Sequence, residues 1–234
     1  MEISMSSRPG SPRDRFEERF RDVLESAKEG ENRCFFGTRW GGSAVLMVVD
    51  ASLDSIGLNY FNIVVPRVKR FYNDYTRTGE IHTLRDLSSL QPEDARLRGI
   101  INNRRVWQVA IETSRVLDRI RVDRDLDTDF DALRYWAVHA SHRAWKKEEI
   151  GRINGVGLIT FQYLRMQAGV DTSMPDKIIK RVVEREWEIY APDDLSFIAE
   201  MERLSSAIGY SQIFICWAIW LKESDMGKGE WETL

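Results

Sequence analysis

Two stretches of this chain carry residue types whose spacing could do chemistry. The first is Ile153-Asn154-Gly155-Val156-Gly157, which runs directly into Leu158-Ile159-Thr160-Phe161. Two glycines one residue apart allow a tight turn and a close approach of another molecule to the backbone. The amides behind them would open a helix, where orphan N–H groups and the helix dipole attract phosphate. The second stretch is Ser173-Met174-Pro175-Asp176, ahead of Lys177-Ile178-Ile179-Lys180-Arg181. Proline is favoured at the first helical position, so Ser173 or Met174 is expected as the N-cap and Asp176 inside the first turn. The dipole would stabilise the carboxylate there by ~0.3–1 kcal/mol and hold it ionised near neutral pH. Such a carboxylate can stabilise a developing cation and orient or deprotonate a water.

Together the two stretches resemble the helix-hairpin-helix DNA glycosylase superfamily, the endonuclease III and alkyladenine glycosylase group. Residues 145–150 read as the end of the helix before the hairpin. In that family a catalytic aspartate follows the hairpin at the start of a helix, with an arginine shortly after. Val170-Asp171-Thr172 looks superficially like the family's motif, but Asp171 is only 14 residues past Gly157. Asp176 lies 19 residues past it, and Arg181 follows 5 residues later. The resemblance therefore assigns catalysis to Asp176. It is specific over residues 145–183 and diffuse before them.

What the resemblance implies can be stated residue by residue. The hairpin, Ile153 to Gly157, would hold one backbone phosphate of double-stranded DNA, with Lys146, Arg152 and Arg181 beside it. It leaves room for a monovalent cation at the hairpin. Bifunctional relatives carry a lysine two residues after the second glycine, which forms a Schiff base with the sugar. Here that position is Ile159, so the implied enzyme is monofunctional and uses water. Ile100, Ile101 and Asn102 align with the loop that fills the space left by a flipped base, although a plain helix–helix turn accounts for them equally. Ser52-Leu53-Asp54-Ser55 aligns loosely with the other strand-probing turn. A base pocket needs aromatic walls, and Tyr60 and Trp145 lie in the right loops. The rival readings are a hairpin module that binds DNA without activity, and a helical protein whose hairpin is accidental.

Other motifs carry less. His139 and His142 share a helix face but lack a Cys or carboxylate partner for a metal. Arg143, Lys146 and Lys147 make a basic run that solvation alone explains. Two cysteines, Cys34 and Cys216, fit a reducing compartment, cytoplasm or nucleus, and cannot supply a four-cysteine iron–sulfur cluster. The net charge of −3 gives no general attraction for nucleic acid, so any basic surface must be local.

The elements needed to position these groups read as all-α. An apolar content of 43% over 234 residues excludes general disorder and supports a sizeable core. Helical spacing of apolar residues marks 13–29, 59–75, 83–90, 92–101, 104–120, 130–141, 193–208 and 210–222. Residues 30–42 break the pattern, and 122–129 read as a charged loop. Residues 44–49 suit a strand by propensity alone; the resemblance makes them a buried helix. Residues 213–221 are apolar all round and too short to span a bilayer, so they are expected as the most buried helix. Residues 1–12 are Ser-, Pro- and Gly-rich and expected as a disordered tail. The resemblance implies a two-lobed fold: residues 43–164 as a barrel-like lobe, and 13–42 with 165–234 as the second. It also implies a monomer that makes no use of a membrane.

Overall fold

The computed structural model describes residues 11–223, and within them the chain is all-α, with no strand. Residues 1–10 of the expected tail, and residues 224–234, lie outside the described residues. Ser11 and Pro12 do not belong to a tail. They open the first helix, α1 (Pro12–Phe20), where Ser11 and Asp14 form a reciprocal capping box.

The helix expected over 13–29 is two helices. The chain turns at residues 21–23 and α2 runs Leu24–Phe35. The break lets Phe16 and Phe20 meet Trp187, while Ala27 and Cys34 enter a different part of the core. The interruption expected over 30–42 begins only at residue 36, because Gly30 sits within α2 as a contact. A Cβ there would stand 2.6 Å from the indole of the fully buried Trp217.

Helix α3 (Ala44–Asp54) is capped by Ser43 and buried along nearly its whole length, so residues 44–49 are helix and not strand. The stretch expected over 59–75 is α4 (Val65–Phe71) between two π-helical segments, Tyr60–Val64 and Tyr72–Thr76. Then come α5 (Leu84–Ser88), α6 (Ala95–Ile100), α7 (Arg104–Asp123) and α8 (Asp129–His139). Asp94, rather than Pro92, opens α6: its carboxylate accepts from the Arg96 amide at 2.9 Å. The chain ends in α9 (Leu158–Gln167), α10 (Lys177–Trp187), α11 (Asp194–Ile208) and α12 (Gln212–Glu223).

Two buried helices organise the packing. α3 touches α7, α8, α9 and α4, and α12 touches α2, α10, α11 and α1. Residues 213–221 lie in a buried helix but not the most buried one: ten of the eleven residues of α3 and nine of the ten of α9 are buried, against eight of the twelve of α12. No single helix among the described residues is long and apolar enough to cross a bilayer; α11 and α12 reach the required length only as a pair bent by 95°.

Gly30→Ala tests the packing of α2 on α12. Alanine favours a helix over glycine by about 1 kcal/mol, but the new Cβ meets a ring that cannot retreat. Overpacking of this kind costs roughly 1–3 kcal/mol. A net fall in thermal midpoint is expected, and a rise would show that Trp217 can move.

Candidate functional site

The hairpin is built differently on its two sides. Upstream, residues 145–150 do not end an α-helix. They belong to two short 3-10 turns, His142–Lys147 and Ile150–Arg152. Downstream, Gly157 is the N-cap of α9 with ordinary φ, and nothing lies within 4 Å of where its Cβ would stand. Gly155 has φ +112°, and a Cβ there would come within 2.8 Å of Val109 and 3.0 Å of Arg105. Gly155 therefore serves the packing of the hairpin on α7, and Gly157 keeps the backbone approachable. Among the described residues the amides of Gly155, Gly157 and Leu158 have no hydrogen-bond acceptor. The side chains of Ile153 and Val156 are buried, so these two residues offer backbone only.

Exposed cations precede the hairpin in the chain, and one more packs against it. Arg152 and Lys146 are both exposed, with the Lys146 ammonium 5.5 Å from the centre of the Trp145 ring. Arg105, which the sequence did not single out for this role, lies against Gly155, and its guanidinium makes no hydrogen bond or ion pair among the described residues. Arg181 is elsewhere: it is exposed on α10, 3.9 Å from Glu223, which Arg19 and Arg185 also engage. Trp145 stays with the hairpin, its ring 6.4 Å from Phe161.

Asp176 is the N-cap of α10, not a residue of its first turn, and Pro175 precedes the helix. Aspartate is among the best N-caps, and the extended backbone of Asp176 is the one an N-cap adopts. Its Oδ1 accepts the Ile179 amide at 2.7 Å and its Oδ2 accepts the indole N–H of Trp220 at 2.6 Å. Burial nevertheless raises its proton affinity above the ordinary carboxylate value, against those hydrogen bonds and the charge of Lys180. The expectation of a dipole-stabilised, readily ionised carboxylate omitted this desolvation.

Trp220 leads from Asp176 into the core. Its ring meets Tyr163 edge-on, centroids 6.2 Å apart. The Tyr163 hydroxyl donates to Asp50 Oδ2 at 2.8 Å. The same oxygen accepts from Arg39 at 3.0 Å, Trp40 Nε1 at 2.7 Å and the Tyr60 hydroxyl at 3.2 Å. Burial pushes the Asp50 carboxyl up, and Arg39 and the three other donors oppose it. Tyr60 thus stands on the Asp176 side of the molecule and Trp145 on the hairpin side. Ile159 lies one helical turn before Tyr163 on the same face of α9, which links the two sides.

Asp54 completes the cluster. It is the last residue of α3, one turn beyond Asp50, and it feels the charges of both Asp50 and Asp176. Its side chain has no hydrogen-bond or ionic partner among the described residues. Burial first, then its two carboxylate neighbours, push it up to about 7. Of the stretch aligned with a strand-probing turn, Ser52 and Leu53 are buried within α3, while Asp54 and Ser55 are half-buried at its end.

The remaining candidates have structural roles. Asp171 accepts the Ile213 amide at 3.2 Å and so helps to open α12. Ile100 is 5% exposed and packs in the core, which removes it as a side chain to be pushed into DNA. Asn102 is exposed and accepts from Arg98 at 2.7 Å. His139 bonds the Tyr135 carbonyl at 2.7 Å, and the pKa of His142 is lowered by burial and then by Arg165. No group of three or more His, Cys, Asp or Glu among the described residues could hold a metal ion. A pocket between Gly42, Thr83, Arg121 and Phe130 contains no residue of the hairpin or the Asp176 cluster, and Asp118 and Asp129 pair with its Arg121.

No protein-family model, curated protein or solved structure matches this chain. The residues themselves carry the functional argument.

The pH dependence of stability tests Asp54. Its folded value of about 7 lies above its ordinary value of 3.8, so the folded state holds the proton more tightly than the unfolded chain. The wild type then loses stability as pH rises from the ordinary value through 7, and the loss is complete above that. Asp54→Asn removes the charge and should stabilise the protein at pH 8 by about 2 kcal/mol after allowance for solvent screening, or roughly 4–8 °C. At pH 4 the two proteins should melt together. Equal midpoints at pH 8 would mean that Asp54 ionises without penalty.

Proposed function

We propose that this protein is a monofunctional DNA N-glycosylase of the helix-hairpin-helix type, which removes a damaged or mismatched base from duplex DNA. The observation that carries the reading is the pairing of two features across α9. At its head stand amides without acceptors among the described residues, with Arg105 against Gly155 and the exposed Lys146 and Arg152 a few residues upstream in the chain. Beyond its far end stands Asp176, half-buried at the head of α10 and held by Trp220. The first is chemistry for a backbone phosphate. The second is a carboxylate withheld from water, the environment in which a charge acts most strongly on a sugar cation.

In this reading the fold is the two-lobed glycosylase fold, with DNA across the cleft between lobes 43–164 and 13–42 with 165–234. The target nucleotide turns out toward Asp176, and Tyr60 supplies an aromatic wall for the flipped base. The Asp176 carboxylate stabilises the oxocarbenium ion and takes the proton of the attacking water. Ile159 offers no amine, so no imine forms and the abasic site is left intact. A monovalent cation at the hairpin would be held by backbone carbonyls such as Ile150 and Ile153, each of which already accepts one amide and keeps a second lone pair. A pure binding module needs only the hairpin; the buried carboxylates favour the enzyme.

Two variants separate grip from chemistry. Gly157→Asp puts a charge where the backbone is open, at an ordinary φ, so duplex affinity should fall at least tenfold with the thermal midpoint nearly unchanged. Asp176→Asn keeps the shape and removes the charge, and base release should fall by about 100-fold or more while DNA binding persists. A folded Gly157→Asp with full affinity would remove the hairpin from the interface. Full base release by Asp176→Asn would remove Asp176 from the chemistry and leave only the binding module.

Wild-type protein should also leave strand breaks only after alkali or heat, with little covalent adduct trapped by borohydride. Efficient trapping would show that an amine other than the absent one at position 159 attacks the sugar.

A further inference from the structure

We propose that the open cavity between the heads of α3 and α8 binds a small phosphate monoester, a phosphate that carries an organic group such as a nucleoside. The cavity has a volume of about 660 Å³ and shares no residue with the hairpin or the Asp176 cluster. Small-molecule sites have volumes of roughly 300–1,000 Å³. It lies at the opposite end of α3 from Asp54, about 15 Å away by helical rise. The proposal does not depend on the glycosylase reading.

Two arginines line the cavity, Arg85 from α5 and Arg121 from α7, and neither is closely paired. Asp118 stands between them, with Oδ2 at 3.3 Å from Arg85 Nε and Oδ1 at 3.2 Å from Arg121 Nη2. Arg121 Nε lies 3.4 Å from Asp129 Oδ1. Charge-assisted hydrogen bonds usually measure about 2.7–2.9 Å. The chain makes such short pairs elsewhere, at 2.6 Å in Arg19–Glu223 and 2.7 Å in Arg96–Asp94. Asp129 spends its other oxygen on the Leu84 amide at 2.7 Å. Both terminal nitrogens of Arg85, and Nη1 of Arg121, have no partner among the described residues.

Backbone donors are left over on the same wall. Ala44 and Val45 line the cavity and are 3% and 1% exposed, yet their amides meet no acceptor among the described residues. The Ser43 cap takes only the third amide, that of Leu46. Buried amides are nearly always paired, so this wall needs an acceptor. The free donor nitrogens are then two from Arg85, one from Arg121 and two amides. A carboxylate, with two oxygens and one charge, satisfies them poorly. A phosphate has three free oxygens, and its second charge lets it compete with Asp118 for both arginines. The organic group fits against the half-buried Phe130 ring, which packs on Gly37 so closely that a Cβ there would collide with it. Asp127, exposed at the rim, is screened by water and can accept a hydroxyl of that group.

The test is calorimetric titration of the full chain with adenosine 5′-monophosphate, ribose 5-phosphate, adenosine and inorganic phosphate, with amide NMR to locate the bound probe. One of the two monoesters should bind about tenfold or more tightly than adenosine and inorganic phosphate, the scale of one added charged hydrogen bond. It should shift the Ala44 and Val45 amide resonances. Arg85→Gln and Arg121→Gln should each weaken it by about tenfold or more. The Arg85 side chain is 63% exposed, so that variant is expected to fold as the wild type does. Arg134→Gln makes the same charge change at an exposed position outside the cavity and should alter affinity by less than about twofold. No binding of either monoester overturns the proposal, as does equal binding of adenosine or of inorganic phosphate. An Arg85→Gln variant with wild-type affinity overturns it too. Shifts confined to the Gly155 and Gly157 amides also overturn it and place the phosphate at the hairpin. None of these failures removes the glycosylase reading, which base release tests separately.

Discussion

Arg39 and Asp50 are both fully buried, and their ion pair at 3.0 Å joins parts of the chain that are distant in sequence. Arg39 precedes α3 and Asp50 lies within it. Tyr60 comes from the π-helical segment after α3, and Tyr163 from α9. The Arg39 guanidinium also lies 5.0 Å from the ring centre of Trp217 in α12. Removing one partner of such a pair leaves an uncompensated buried charge, at a cost of about 3–5 kcal/mol. The network therefore fixes the register of α3 against α9 and α12. Through Tyr163 and Trp220 it also fixes where Asp176 stands. The two buried helices carry the apolar core, and this polar knot decides how they are aligned.

What could be read from the sequence was what is local. Gly155-Val156-Gly157 and Asp176 are near one another in the chain, and each sits beside a helix start that its own residues specify. Those starts fall where the turn residues place them, although Asp176 caps α10 where Pro175 had been expected to open it. Asp54 was out of reach because its meaning depends on Asp176, more than a hundred residues away. One signal was present. In Val45-Leu46-Met47-Val48-Val49-Asp50-Ala51-Ser52-Leu53-Asp54, two aspartates a turn apart interrupt an otherwise buried helix. Carboxylates on a buried face need either a partner or a purpose. Asp50 has the partner, and Asp54 has none. Gly30 misled for the opposite reason: a glycine read as a breaker is required by a tryptophan in another helix.

The charge of the chain also looks different once it is folded. A net charge of −3 spoke against a nucleic-acid surface. Much of the basic content is neutralised in place, as in the Arg19, Arg185 and Glu223 cluster and the Arg119–Glu149 pair. Beside the hairpin, Arg105 is left without an acidic partner, and Lys146 and Arg152 are exposed. Local excess, not the sum, determines what a surface attracts.

On the proposed reading, the site then holds two electrostatic demands that oppose each other. The hairpin attracts a polyanion, and the Asp176 cluster is acidic and half-buried. Phosphates brought near Asp54 and Asp176 disfavour the ionised form of both. Binding and proton uptake are then linked, and by reciprocity protonation favours binding. At Asp176 the Ile179 amide and the Trp220 indole, as donors to the carboxylate, oppose that effect. The two carboxyls differ in their partners: Asp176 has two hydrogen-bond donors, and Asp54 has none among the described residues.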